Sequence, residues 1–301
     1  MLKIVAAAGV VLLSGLGMAR AEAPAFQPQT LVLTDIPKAI GPAVALFNGK
    51  NLDDWTAWLG YRDPAQTYLK EHDAPIGVAG KGDIFTVVTE DGAPALHVSG
   101  ETWGSLVHKG DFSNYHLRLE YKWGAKRYAP RLDEPGNNGL LYHTHGAPGA
   151  VWGTWARSVE FEIMAGSVGM AVPVGDGLEV NASVAIDPTI IDPKQRFMVG
   201  APQGAAIGNT ALWNIESNRN ADKPIGEWNT LDLYVFGNGA IHVVNGVPVM
   251  EIRGIYEVPA NGGPVEPLTH GAIQLQSEGA ETFFRNITIE PIDSLPAIEV
   301  R

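Results

Sequence analysis

The sequence predicts an all-β protein, a jelly-roll β-sandwich carrying one long loop insertion. Three observations point there. Short apolar runs alternate with a period of two along most of the chain. Gly and Pro are frequent, at 35 and 21 residues. No apolar stripe at helical spacing runs beyond three turns.

In chain order, residues 1–21 read as a cleaved export signal. Lys3 supplies the positive start, and Ile4 to Leu16 form an apolar run too short to span a bilayer comfortably. Ala19-Arg20-Ala21 is an A-x-A cleavage site. The protein is therefore expected to be exported, either periplasmic or secreted. Residues 22–43 are rich in Pro and Ala and are expected to form an N-terminal tail or linker. Residues 44–301 are expected to form a single β-sandwich catalytic domain.

Within that domain, "NYHLRLEYKW" places Tyr115, Leu117, Leu119, Tyr121 and Trp123 on one face. His116, Arg118, Glu120 and Lys122 fall on the other, as in a half-buried antiparallel strand. Similar runs lie at 84–88, 94–99, 104–109, 138–145, 158–164, 229–236, 240–244, 247–252, 271–276 and 282–290. Asn245-Gly246 between "IHVV" and "VPVM" is a type I′ hairpin signal. Residues 165–227 are Gly/Pro-rich and weakly periodic, and are expected to be an insertion folded over one end or face of the sandwich.

Composition narrows the function. The net charge is −12, and loss of Lys3 and Arg20 with the leader would make it more negative still. Phosphate binding needs clustered Lys and Arg, so nucleic acid is a poor partner. No segment after the leader is apolar enough to span a membrane, and no obligate protein partner is implied. Cys is absent, which removes disulfides, thiol nucleophiles and thiolate metal ligands. A small neutral carbohydrate remains open as ligand.

The polar chemistry gathers in "GNNGLLYHTHGAPGAVWGTWARSVEFEIM", residues 136–164. On a strand, Glu160 and Glu162 leave the same face, with Cα atoms about 6.6 Å apart. His143 and His145 share a face in the same way. If the two strands are neighbours, imidazoles and carboxylates meet, supplying a general acid, a general base or metal ligands. Taken alone, alternating Glu residues are more often a solvated face. Trp152 and Trp155 lie between the strands and could stack on sugar rings or cap the sandwich edge, and Arg157 follows them. Gln276 in "AIQLQSEG" and Arg285 in "FFRNITI" could bind hydroxyls or an oxyanion, although Arg285 could equally form a structural ion pair. Asn138 opens the histidine strand, where turn chemistry is the alternative.

Five segments, in order, resemble one family. They are "LFNGKNLDDW", "NNGLLYH", "SVEFEIM", "EWNTLDLYVFGNGAIHVVNGVPV" and "GAIQLQSEGAETFFRNITI", covering about residues 45–290. The pattern is similar to the 3-keto-disaccharide hydrolases, also described as 3-keto-glycoside lyase/hydratases and once catalogued as domain of unknown function 1080. Glu162 stands where that family usually has Gln, and Asn138 takes the second place of its Asn-Ser-Gly motif.

The resemblance implies a concanavalin-like β-sandwich that cleaves glycosides already oxidised at C3. A base removes the acidified C2 proton and the aglycone is expelled from C1. Asn138, Glu160, Gln276 and Arg285 carry over from the family pattern. Glu160 or His143 is expected as base and His145 or Glu162 as proton donor. Arg285 or a divalent metal is expected at the oxyanion, with His143, His145 and Glu160 as candidate ligands. Asn138, Trp152, Trp155, Arg157, Gln276 and Arg285 are the candidate substrate contacts. Two other classes stay open. One is a sugar-binding sandwich without catalysis. The other is a conventional jelly-roll glycanase, which lacks a third carboxylate here because i+4 from Glu160 is Met164.

Overall fold

The computed structural model describes residues 23–78 and 84–301. The expected export signal at 1–21 lies outside the described residues. What is described is a β-sandwich of two main antiparallel sheets, and the sole helical turn among the described residues is a short 3₁₀ segment, Pro64–Tyr68.

The seven-stranded sheet runs, edge to edge, through Ala171–Val174, Arg157–Met164, Asn137–His145, Ala272–Ser277, Gly104–His108, Trp55–Leu59 and Gly77–Val78. The larger sheet is centred on Tyr115–Arg127, which lies between Asn229–Phe236 and Ala280–Pro291. Alternation explains the stacking. Tyr115, Leu117, Leu119, Tyr121 and Trp123 are buried on one side of their strand. Tyr142, Val159, Phe161 and Ile163 from the smaller sheet join the same core. The residues between them, Glu160 and Glu162, must therefore leave the smaller sheet on its outer face.

Every strand run read from alternation is present. The Asn245-Gly246 turn has both residues at positive φ, 51° and 79°, and closes the pairing of Val244 with Val247. Two expectations need correction. The insertion at 165–227 is not a plain loop. Its Leu178–Ile186 segment pairs along Val247–Glu257 and extends the large sheet, and Ala171–Val174 forms the edge of the small one. Leu178–Ile186 does alternate, with Leu178, Val180, Ala182 and Val184 set between Glu179, Asn181 and Ser183, but it lies within a Gly/Pro-rich stretch that reads as loop. Ala171–Val174 is short, continuously apolar and broken by Pro173, so alternation does not mark it. The supposed tail at 22–43 is also tied down. Leu31–Thr34 pairs with Ala297–Val300, and Phe26 N donates to the Ile186 carbonyl at 2.8 Å. Its partner strand is some 265 residues away, a contact no local pattern announces.

Among the described residues, no helix is long and apolar enough to cross a membrane.

Candidate active site

Glu160 and Glu162 open into a cavity of about 470 Å³ on the outer face of the seven-stranded sheet. The register explains how they get there. Glu160 sits opposite Leu141 and Glu162 opposite Gly139, while Gln276 lies one strand further on the same face. Gly139 is required at its place. A Cβ there would stand 2.1 Å from Glu160 Oε1 and 2.7 Å from Gln276 Oε1. The bare backbone lets the carboxylate and the amide approach one another across the strand.

The backbone beneath is pinned from behind. Glu162 N donates to Met170 O at 3.1 Å, and Gly169 N donates to Glu162 O at 2.9 Å. The turn carrying Gly169 is held by His242, whose Nδ1 lies 3.0 Å from the Gly169 carbonyl. That carbonyl can only accept, so Nδ1 carries the proton and Nε2 accepts from the Tyr142 hydroxyl at 3.1 Å. Burial pulls the His242 pKa down to about 4, so the ring is neutral.

A third acid completes the set. Glu278 lines the same cavity and continues the Gln274, Gln276 alternation by one more step. Arg131 Nη2 donates to Glu278 Oε1 at 2.6 Å, and Arg131 Nη1 meets Glu134 at 2.7 Å. Tyr68, delivered by the 3₁₀ segment, reaches Glu278 with its hydroxyl at 3.5 Å. That segment starts where Asp63 accepts from Ala65 N at 3.1 Å, with Pro64 at the first position.

The electrostatics follow from the count of charges. Three buried carboxylates share one guanidinium. Burial pushes the Glu160 carboxyl well above its ordinary 4.5, and Glu162 and Glu278 push the same way. Arg131 and the Gln276 amide oppose this. Glu162 is raised by burial and then by Glu278, against Arg131. Glu278 is raised by burial but is held back by its hydrogen bonds to Arg131 and Tyr68. The Glu160–Glu162 pair therefore holds a proton under conditions where exposed carboxylates are ionised. Oε1 of both glutamates, Gln276 Oε1 and Asn137 Oδ1 are buried and find no hydrogen-bond partner within the protein.

Aromatic rings frame the opening. Trp155 is buried and stacked on Trp103, with centroids 6.0 Å apart, while Trp152 remains 39% exposed at the rim. Tyr68 contacts Trp152 edge-on at 5.2 Å.

The structure brings together Glu160, Glu162, Trp152, Trp155 and Gln276 from the sequence-derived candidates. It places Asn138, His143, His145, Arg157 and Arg285 elsewhere. Asn138 is one step out of phase with Gly139. It faces the sandwich interior, and its Nδ2 donates to Thr282 Oγ1 at 3.1 Å; Asn137 is the asparagine in the cavity. His143 adopts φ 52° at a bulge, with Tyr142 opposite Val159 but His145 opposite Arg157. The extra residue breaks the alternation that would have put the histidines beside the glutamates. The His143 ring is fully buried, and burial followed by the charges of His270 and His145 lowers its pKa to about 3. His145 Nε2 lies 2.6 Å from Glu257, which Arg157 also binds at 2.7 Å. Both line a second cavity of about 610 Å³ further along the strand. Arg285 sits on the large sheet, 2.5 Å from Glu120 and stacked 3.8 Å from the Trp228 ring centroid.

The metal candidates His143, His145 and Glu160 accordingly do not converge, and these residues do not fit a metal ion. Among the described residues no group of three or more His, Asp or Glu side chains is arranged to hold one.

Sequence reasoning missed Glu278, Arg131 and Tyr68. Glu278 was within reach, since Gln274, Gln276 and Glu278 fall at i, i+2 and i+4. Arg131 sits in an irregular segment and Tyr68 at the end of a single 3₁₀ turn, and neither has a periodicity to mark it.

Among solved structures, a Parabacteroides distasonis ATCC 8503 protein provisionally described as a glycosyl hydrolase is 18% identical. It covers 84% of this chain and 100% of its own, with a TM-score of 0.45. A second such protein from the same organism is 17% identical, covering 83% of this chain and 94% of its own, at a TM-score of 0.46. A Bacillus subtilis protein of unknown function with a galectin-like fold is 10% identical and covers 86% of this chain and 99% of its own, at 0.45. No curated protein sequence matches the chain. The family profile described as a 3-keto-alpha-glucoside-1,2-lyase-like domain matches residues 42–290. With that match spanning most of its length, the chain belongs to the 3-keto-alpha-glucoside-1,2-lyase-like domain family.

Proposed function

We propose that this protein cleaves 3-keto-glycosides by elimination, with Glu160 as base and Glu162 as acid. The observation that carries the reading is the pair of buried carboxylates in one cavity, both raised by burial and by neighbouring acids, Glu160 by Glu162 and Glu278 and Glu162 by Glu278, and supplied with a single cation. A pair sharing one proton offers an ionised and a protonated member side by side, as the reaction needs. The Gln276 amide favours the charged form of Glu160, which supports assigning it the base.

In the proposed sequence Glu160 takes the C2 proton, acidified by the neighbouring C3 ketone, and an enolate forms. The C1–O bond then breaks. Its electron pair goes to the aglycone oxygen, which receives the proton of Glu162. The sugar leaves this step as a 1,2-enone. Glu160 is now protonated and Glu162 ionised. Glu162 can draw a proton from water as that water adds to C1, and Glu160 returns its proton to C2. The net change consumes one water and gives the 3-keto sugar. Arg131 replaces Arg285 as the cation that would steady the enolate. The leader-like residues 1–21 support an encounter with substrate outside the cytoplasm.

The test is turnover of 3-keto-glucosides carrying deuterium at C2, beside the same glycosides left unoxidised. Elimination predicts a primary isotope effect, a transient enone absorbance and inert unoxidised glycosides. Brisk cleavage of unoxidised substrate, with no isotope effect, would establish a conventional glycanase instead. Saturable binding without any turnover would establish a binding module.

A further inference from the structure

The cavity changes character across the sheet. One strand outward from the carboxylates, Glu160 pairs with Val172 and Ser158 with Val174 on the edge strand. Beyond them Ile191 and Trp213, both from the inserted segment, complete that side. Several of the polar groups beside that wall are engaged within the protein. Asn209 Nδ2 donates to Asp176 Oδ1 at 2.5 Å. Thr210 Oγ1 donates to Ile207 O at 2.8 Å and accepts from Leu212 N at 3.1 Å. Trp213 Nε1 donates to Asp192 O at 3.0 Å. At the opposite end the reverse holds, since Glu160, Glu162, Gln276 and Asn137 each keep a buried oxygen without a protein partner.

We propose that the wall formed by Val172, Val174, Ile191 and Trp213 is the leaving-group subsite, and that it takes a flat, uncharged aromatic aglycone rather than a second sugar. This rests on the elimination reading for its chemistry. The polar end can satisfy the hydroxyls of one sugar ring. A second ring would lay several more hydroxyls against Val172, Val174 and Ile191, which offer no donor or acceptor, and against Trp213, whose indole N–H is already given to Asp192 O, and each would lose its hydration without replacement. An aromatic ring loses nothing there and gains apolar contact and stacking on Trp213. A carboxylated aglycone meets three buried carboxylates and one guanidinium, so charge selects against it.

Two measurements test this independently of each other. In turnover, a 3-keto phenyl glucoside should exceed a 3-keto disaccharide in kcat/KM by about tenfold or more. Ile191→Ser, at a position 50% exposed, and Trp213→Ala should each narrow that ratio by raising KM for the aryl substrate alone. In binding, benzyl alcohol titrated by calorimetry should saturate the wild type and weaken several-fold in both variants, while benzoate should not bind. A disaccharide turned over as well as the aryl glucoside overturns the subsite assignment and leaves the elimination intact. Failure of both substrates sinks the elimination. The benzyl alcohol titration then decides the subsite alone, and its absence, or indifference to both variants, overturns it.

Discussion

Two cavities lie along the same pair of strands, and they handle charge in opposite ways. At the histidine end each acid has its own basic partner: Glu257 is met by the Arg157 guanidinium and the His145 ring, and Asp111 by the His270 ring at 2.9 Å. At the glutamate end three carboxylates face a single Arg131. Both regions are rich in titratable side chains, and residue type alone would rank the histidine end higher. The difference is that balanced charges hold one another in place, whereas an excess of buried acid must keep a proton and can pass it on. Chemistry is therefore expected where the charges do not cancel.

The largest effect should come from removing the proton carrier. Glu160→Gln keeps the shape and is expected to lower kcat on a 3-keto-glycoside by about 10²–10⁴-fold, with ligand affinity retained. Retained turnover in this variant would place the base elsewhere. Next is Gly139→Ala. The added methyl would displace the Glu160 carboxylate, a flexible side-chain end, so activity should fall by about 10²-fold while the melting temperature moves little. Unchanged kinetics there would mean that the close approach of Glu160 and Gln276 is irrelevant.

Arg131→Met should act through pH. Arg131 lowers the pKa of Glu160, Glu162 and Glu278, so its removal raises them, and the acid limb of the rate profile should move to higher pH. A profile that merely drops in height would show Arg131 acting otherwise. Stability gives a smaller reading of the same imbalance. The folded pKa of Glu162 lies above its ordinary 4.5, so its contribution is full below that value and is lost as pH rises through the folded pKa. Glu162→Gln should therefore gain stability over wild type on the alkaline side, by about 1 kcal/mol or more, and flatten the loss with rising pH. Thermal melts between pH 5 and pH 8 would show the reverse if the carboxyl were ionised and paired. The smallest effects belong to the balanced regions. His145→Gln and Arg285→Ala should leave kcat/KM within about threefold, and Arg285→Ala should cost about 1 kcal/mol at most as a surface ion pair. A hundredfold loss in His145→Gln would erase the contrast between the two ends.

The strand set, the two-sheet class, the I′ turn at Asn245-Gly246 and the shared face of Glu160 and Glu162 were legible in the chain, because a strand's period of two is written residue by residue. So was the family, from ordered motifs. What the order of residues could not convey was phase and partnership. A single bulge at His143 moves the histidines away from the glutamates, and no propensity marks that position for φ 52°. Asn138 and Asn137 exchange roles by one step of the pleat. Arg285 lands on the opposite sheet beside Glu120, and Arg131 from an irregular segment and Tyr68 from a single 3₁₀ turn arrive to face Glu278. The sequence by itself determined which faces are apolar and which carry acid. Only the tertiary structure decided which acids share a cation, because that depends on contacts between segments a hundred or more residues apart, where local patterns carry no information.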